Sequence, residues 1–168
     1  NKRNYHGCAP LLFACKNNNA NIVTLLLSKP EIDVNISELA AIGDTDPNFL
    51  SEEQRKNGDT PLIVSCNNGY LNIVKLLLAV PGIDVNKNEE RNEHRTPLLA
   101  ACHKKSTSIV EQLLAAPGID VNKEDYAGGN PLVYACQNAI EDIVKLLLAA
   151  PGIDVSSNSL ILLTCRND

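Results

Sequence analysis

Four apolar runs recur along the chain with the same internal spacing: Ile22-Val23 with Leu25-Leu26-Leu27, Ile73-Val74 with Leu76-Leu77-Leu78, Ile109-Val110 with Leu113-Leu114, and Ile143-Val144 with Leu146-Leu147-Leu148. Each has the three- and four-residue periodicity of a helix with one buried face. Each run leads into an extended segment, Pro81-Gly82-Ile83-Asp84-Val85-Asn86 in its second copy. That segment returns at residues 117–122 and 151–155, and in weaker form at 30–35. A shorter apolar stretch precedes every run. In the third copy it is Thr96-Pro97-Leu98-Leu99-Ala100-Ala101-Cys102. Thr96 has the hydroxyl of an N-cap, and Pro97 sits at the first helical position, where a missing N–H costs nothing. Leu98, Ala101 and Cys102 follow at helical spacing. The pattern predicts a short first helix, a polar break, and a second helix from Ser108 to about Ala115. Pro117 ends that helix and Gly118 supplies the positive φ of the exit.

The same unit appears at residues 60–86 and 130–155, at 7–35 without its opening Thr, and incompletely at 159–168. A supersecondary unit repeated at a fixed period denotes a stacked array, in which each unit buries its apolar face on its neighbours. The cysteines report the period. Cys66, Cys102 and Cys136 are nearly evenly spaced, Cys15 lies much farther from Cys66, and Cys165 follows Cys136 early. An insertion of about residues 36–56 explains the long step. Within it Ile36, Leu39, Ala40 and Ile42 form an apolar stripe, Asp46-Pro47 a turn, and Phe49-Leu50 an apolar pair ahead of Ser51-Glu52-Glu53. Two readings stand: a loop folded back on the first two units, or a protrusion with Phe49 as an anchor for a partner.

Composition narrows the function classes. Only 4% of the 168 residues are aromatic and there is no Trp or Met, so burial must come from Leu, Ile, Val, Ala and Cys spread along the chain. The net charge of −5 disfavours nucleic acid as a partner. No apolar run is long enough to span a bilayer, so membrane insertion is not expected. Five of the six cysteines share one register position, which suits small buried core residues better than a metal site or a disulfide framework. Cys8, off register beside His6, reads as an exposed thiol. Reduced thiols suit the cytoplasm. With no Met to open it, the chain reads as a piece of a longer protein; with the stretch from Leu160 to Leu163 lacking a second helix behind it and the first repeat opening almost at once, that protein is expected to continue beyond Asp168 and before Asn1.

Catalysis requires reactive groups that converge. His6, His94 and His103 are scattered, and Gly128-Gly129 lacks the Lys of a phosphate loop, so no catalytic residue, metal or cofactor is expected.

These residues together resemble the ankyrin repeat. Thr60-Pro61-Leu62, Thr96-Pro97-Leu98, the Ala-Cys pairs, Gly69, the Ile-Val…Leu-Leu helix and the Asp-Val-Asn turn stand where that motif puts them. The resemblance implies an all-α, ankyrin-type helix-turn-helix solenoid with short turn or hairpin connections. It would be a single array over residues 1–168, with repeats at about 5–35, 57–86, 92–122 and 126–155 and a partial repeat at 158–168. Two departures are visible. The His that normally follows Thr-Pro-Leu is Leu12, Ile63, Leu99 or Val133, and the Gly between the helices is replaced by Asn18, Lys105 and Ala139 outside the second unit.

The resemblance also implies a protein partner, held on a concave face of turn tips and first helices by a monomer. Carried over unit by unit, the partner-binding candidates are Tyr5 and Lys16; Lys56, Asn57, Asp59 and Asn67; Asn92, Arg95, His103 and Lys104; and Tyr126 and Gln137. Framework positions repeat because every unit stacks on a copy of itself, whereas these vary from unit to unit. Lys56, Arg95, His103 and Lys104 make the face locally basic, which suits an acidic partner surface. Asn35, Asn86 and Asn122 resemble the asparagines hydroxylated in ankyrin proteins. The alternative function is a targeting or spacer segment of a larger protein, a secreted effector in host cytosol or an enzyme, whose activity lies outside these residues.

Overall fold

The computed structural model describes residues 9–37, 58–89 and 95–156. These contain eight helices and no strand: α1 (Pro10–Lys16), α2 (Ala20–Leu27), α3 (Pro61–Asn68), α4 (Leu71–Leu78), α5 (Pro97–His103), α6 (Thr107–Leu114), α7 (Pro131–Gln137) and α8 (Glu141–Leu148). Each unit is one pair, α1 with α2 through to α7 with α8. First helices pack on first helices and second on second, giving two layers of four. This is the all-α helix-turn-helix solenoid anticipated above.

Local chemistry sets the helix limits. Thr60, Thr96 and Asn130 have extended backbones, and their side chains accept the N–H of Ile63, Leu99 and Val133 at 3.2, 3.2 and 2.9 Å. A proline follows each at the first turn. Ala9 takes the same backbone geometry before α1 without a side-chain cap. The expected break between the helices is a single left-handed residue: Gly69 at φ 77°, and Asn18, Lys105 and Ala139 at φ 53°, 60° and 52°. The left-handed region costs an L-residue with a Cβ about 1–2 kcal/mol. Ala, unlike Asn, has no side chain to offset this by local hydrogen bonding. Ala139→Gly should therefore stabilise the chain by about 1 kcal/mol, raising the melting temperature by about 2–4 °C in calorimetry.

The core follows register. Ile73, Ile109 and Ile143 are fully buried, as are Leu77, Leu113 and Leu147. Leu12, Ile63, Leu99 and Val133, which replace the usual His, are buried as well, so apolar packing fills that position. Cys15, Cys66 and Cys102 are buried core residues. Burial pushes the Cys15 thiol up to about 11 and the Cys102 thiol up to about 12; Cys66 is raised too, by burial and then by its neighbour Cys102. Cys136 corrects the expectation of uniform burial: it is exposed. Cys8 and Cys165 lie outside the described residues.

The Asp-x-Asn turns prove to be couplings between units. The Asn35, Asn86 and Asn122 N–H groups donate to Asp33, Asp84 and Asp120 Oδ1 at 3.0 Å, closing a local turn. Each Asn side chain then reaches the next unit. Its Nδ2 donates to the carbonyl of Gly82, Gly118 or Gly152 at 2.7–2.8 Å. Its Oδ1 accepts the N–H of Asp84, Asp120 or Asp154 at 2.8 Å. Lys87 and Lys123 add a donation from Nζ to the carbonyls of Asn35 and Asn86. The ladder stops at Ser156, whose N–H and hydroxyl both turn back to Asp154 Oδ1.

At the start of the insertion, Ile36 and Ser37 are buried and not helical, which removes Ile36 from the expected helical stripe. The rest of that stripe, with Phe49, lies outside the described residues.

Candidate functional site

The last turns of α1, α3, α5 and α7 bring Lys16, Asn67, His103 and Gln137 to one register, since each ends the same seven-residue frame from its proline. The neighbouring row is Asn17, Asn68, Lys104 and Asn138. In three of its members the amide Nδ2 donates to the carbonyl four residues back, Phe13, Val64 or Tyr134, at 2.8–2.9 Å. That bond fixes the amides and leaves each Oδ1 as the acceptor available to a partner. Lys104 is exposed, with its stem running past Gly69: a Cβ there would meet Lys104 Cε at 3.2 Å.

Two turn tips stand beside these rows. In the tip of the fourth unit, Asp125 organises the chain. Its Oδ1 accepts the N–H of Ala127 and Gly129 at 2.9 and 2.8 Å, and its N–H donates to the Gly129 carbonyl at 3.0 Å. The Tyr134 hydroxyl donates to Asp125 Oδ2 at 2.8 Å, and the Tyr134 ring lies 4.1 Å from the His103 ring of the preceding unit. Gly129 makes this approach possible, because a Cβ on it would fall 2.9 Å from Tyr134 Cε2. The rigid tip presents Tyr126 at 80% exposure. An exposed aromatic on a hydrogen-bonded turn is a strong docking element, since Tyr is enriched in binding hot spots and the backbone beneath it is already ordered.

Glu89 plays the corresponding part in the third unit. Its N–H donates to the Arg95 carbonyl at 3.2 Å, and its carboxylate accepts the Arg95 N–H at 3.4 Å. Arg95 Nη1 donates to Asn67 Oδ1 at 3.3 Å. Asp59, Asn67, Glu89 and Arg95 line a cavity of about 80 Å³. The Arg95 charge therefore sits among two carboxylates, and among the described residues the basic character expected of this face rests on Lys16 and Lys104.

Of the residues singled out from the sequence, Lys16, Asp59, Asn67, Arg95, His103, Lys104, Tyr126 and Gln137 are described. Asp59, Asn67 and Arg95 come together in one cluster, while Lys16 and Gln137 lie in the end units. Tyr5, Lys56, Asn57, Asn92 and Phe49 lie outside the described residues. Sequence reasoning passed over Glu89, Asp125 and Tyr134. Their signal was present: Lys87-Asn88-Glu89 and Lys123-Glu124-Asp125 repeat a Lys-x-acid step directly after the Asn of the ladder. Phe13, in the register of Tyr134 and 56% exposed, was also missed.

Among the described residues no group of His, Cys, Asp or Glu could hold a metal ion, and no helix is long and apolar enough to cross a membrane. Family models for ankyrin repeats match the chain: a model of three repeat copies over residues 36–125 and 83–159, and a single-repeat model over residues 6–38. Among solved structures the chain is similar to the ankyrin repeat domain of Bcl-3, a member of the IkappaB protein family. Identity is 28% and the TM-score 0.66, over 89% of this chain and 57% of that one. The chain thus spans little more than half the length of that domain. No curated protein matches.

Proposed function

Because the chain belongs to the ankyrin repeat family, whose repeats generally mediate protein–protein interaction, we propose that it captures a protein partner on the face formed by the first helices and turn tips. The observation that carries this reading is the division of labour between positions. Residues that stack units recur in every copy. The adjacent row of Lys16, Asn67, His103 and Gln137 changes at each step, and a rigid tip holds Tyr126 out beside it. The ionisable groups that meet on this face, Asp125 with Tyr134 and His103 and Arg95 with Glu89, are spent on organising its turn tips, which favours a binding role. Any enzymatic or effector activity of a larger protein would then reside outside these residues. Free core thiols among the described residues suit a reducing compartment, and a cytoplasmic location, in host cytosol for an effector, forms part of this proposal. Hydroxylation of Asn35, Asn86 or Asn122 would require the modifying enzyme to open a side chain bonded at both ends of its amide.

Photo-crosslinking tests the binding face. A photoreactive phenylalanine in place of Tyr126 should capture a partner that the same group at Lys145, on the exposed face of α8, does not. Tyr126→Ala should weaken binding of that partner by about tenfold or more. Equal capture from both positions would reject this face as the binding surface.

A spacer role is the competing reading. It predicts that the variable row can be replaced without loss of any partner.

A further inference from the structure

The row that ends the first helices carries one side-chain geometry three times. Asn17, Asn68 and Asn138 are exposed, and each donates from Nδ2 to the carbonyl four residues back, Phe13, Val64 and Tyr134, at 2.9, 2.8 and 2.9 Å. A carbonyl only accepts, so this bond fixes which end of the amide faces the helix. Oδ1 and the second Nδ2 hydrogen stay open, an acceptor and a donor on one amide, and nothing else among the described residues engages them. Their complement is a peptide backbone, which offers N–H and C=O groups in turn. In the third unit the row holds Lys104 instead, whose stem leans over Gly69 toward the second unit. Residues 1–8, 38–57 and 90–94 lead into α1, α3 and α5 at their N-terminal prolines, a helix length of about 10 Å from this row.

The step between units decides which backbone conformation fits. First helices pack side by side, so the row repeats about every 8–10 Å. A polyproline II helix has three residues per turn and rises about 3.1 Å per residue, so every third residue returns to the same side after about 9 Å. A β-strand returns at every second residue, after about 7 Å, and falls out of step at the next unit. Polyproline II also leaves its own N–H and C=O groups without internal bonds. We infer that the row binds a segment of the partner in polyproline II conformation, one turn per unit. The N–H of every third residue donates to Oδ1 of Asn17, Asn68 and Asn138, and an acidic side chain in the same series meets Lys104. About ten residues span the four units. Proline is excluded where the segment meets an asparagine, because its N–H is missing, and is favoured at the two places between, where it holds the helix. The segment lies on the partner-binding face, so this inference rests on that reading and adds the partner's conformation and charge.

Capped ten-residue peptides, titrated into the full chain and followed by NMR, test the inference. Two probes carry proline at the filling places and alanine at the first, fourth, seventh and tenth. Glutamate replaces the fourth alanine in one and the seventh in the other, one for each direction of the segment. At millimolar peptide the side-chain amide signals of Asn17, Asn68 and Asn138 should shift, and one glutamate placement should bind about threefold tighter than the other. Lys104→Gln should erase that difference. Asn68→Ala, at an exposed position and so compatible with folding, should weaken binding about fivefold. A control with proline at its three alanine places should leave the amides unmoved. Amide signals that ignore both probes, or that shift equally with the control, would overturn the inference. If a partner is still captured through position 126 in that case, the binding face stands without the polyproline II segment; if capture fails as well, the binding reading falls with it.

Discussion

Replacing Ile109 with Ala is expected to destabilise the chain by about 3 kcal/mol, whereas the same change at Ile22 should cost about 1 kcal/mol or less. The two residues occupy one register position and open the same Ile-Val…Leu pattern, so helix propensity and local sequence do not separate them. Stacking does. Ile109 is fully buried between the second and third units, and truncation there loses the transfer energy of the deleted methyl groups and leaves a cavity between two layers of helices. Ile22 is 46% exposed, so part of that transfer energy was never gained and water can enter the space. In thermal unfolding the first variant should melt about 10 °C below the native chain and the second within about 4 °C of it. Equal losses would mean that the units are held by intra-unit contacts, contrary to the stacked architecture.

The second large effect concerns the ladder. Asn86→Ala removes the donor to the Gly118 carbonyl and the acceptor of the Asp120 N–H at once, at the junction of the second and third units. At about 1 kcal/mol for each bond, reduced by partial access of water, the expected loss is about 1–2 kcal/mol. The diagnostic readout is local. Amide exchange at Asp120 should quicken by about tenfold or more in the variant, while the exchange of Asp154, bonded to Asn122, stays as it was. Asn86→Ser should not rescue it. At Ser156 the hydroxyl turns to Asp154 at 2.7 Å instead of reaching outward, and a Ser at 86 would meet Asp84 in the same geometry.

These two residues also mark how far the sequence could be read. Ile109 was legible: period, cap and apolar spacing lie within a single helix, and they placed the helices and their breaks, while the resemblance to the ankyrin repeat singled out Asn18, Lys105 and Ala139 as replacements of its Gly. The role of Asn86 was only half legible. Repetition announced that Asp-Val-Asn matters, but the bonds that explain it join residues more than thirty positions apart, and no local pattern records them. The candidate site divides in the same way. Tyr126 could be picked out as an aromatic in a variable turn. That Asp125, Tyr134 and His103 form one assembly depends on a hydroxyl from a helix meeting a turn carboxylate and a ring from the preceding unit. Arg95 shows the converse: read alone it is a positive charge, but the fold sets it in a cavity with Asp59 and Glu89.

The central claim is that repeating positions hold the units together while non-repeating positions on the first helices select a partner. It is tested most directly by replacing Lys16, Asn67, His103 and Gln137 together with Ala, and measuring melting temperature and affinity for the partner captured through position 126. Lys16 and Gln137 should cost at most about 0.5 kcal/mol each, and Asn67 and His103, which also meet Arg95 and Tyr134, about 1 kcal/mol each, so the melting temperature should fall by no more than about 12 °C. Affinity should drop by about a hundredfold or more, since several contacts in one interface are lost together. Undiminished affinity in a variant that still melts cooperatively would contradict the claim and leave the array as a spacer.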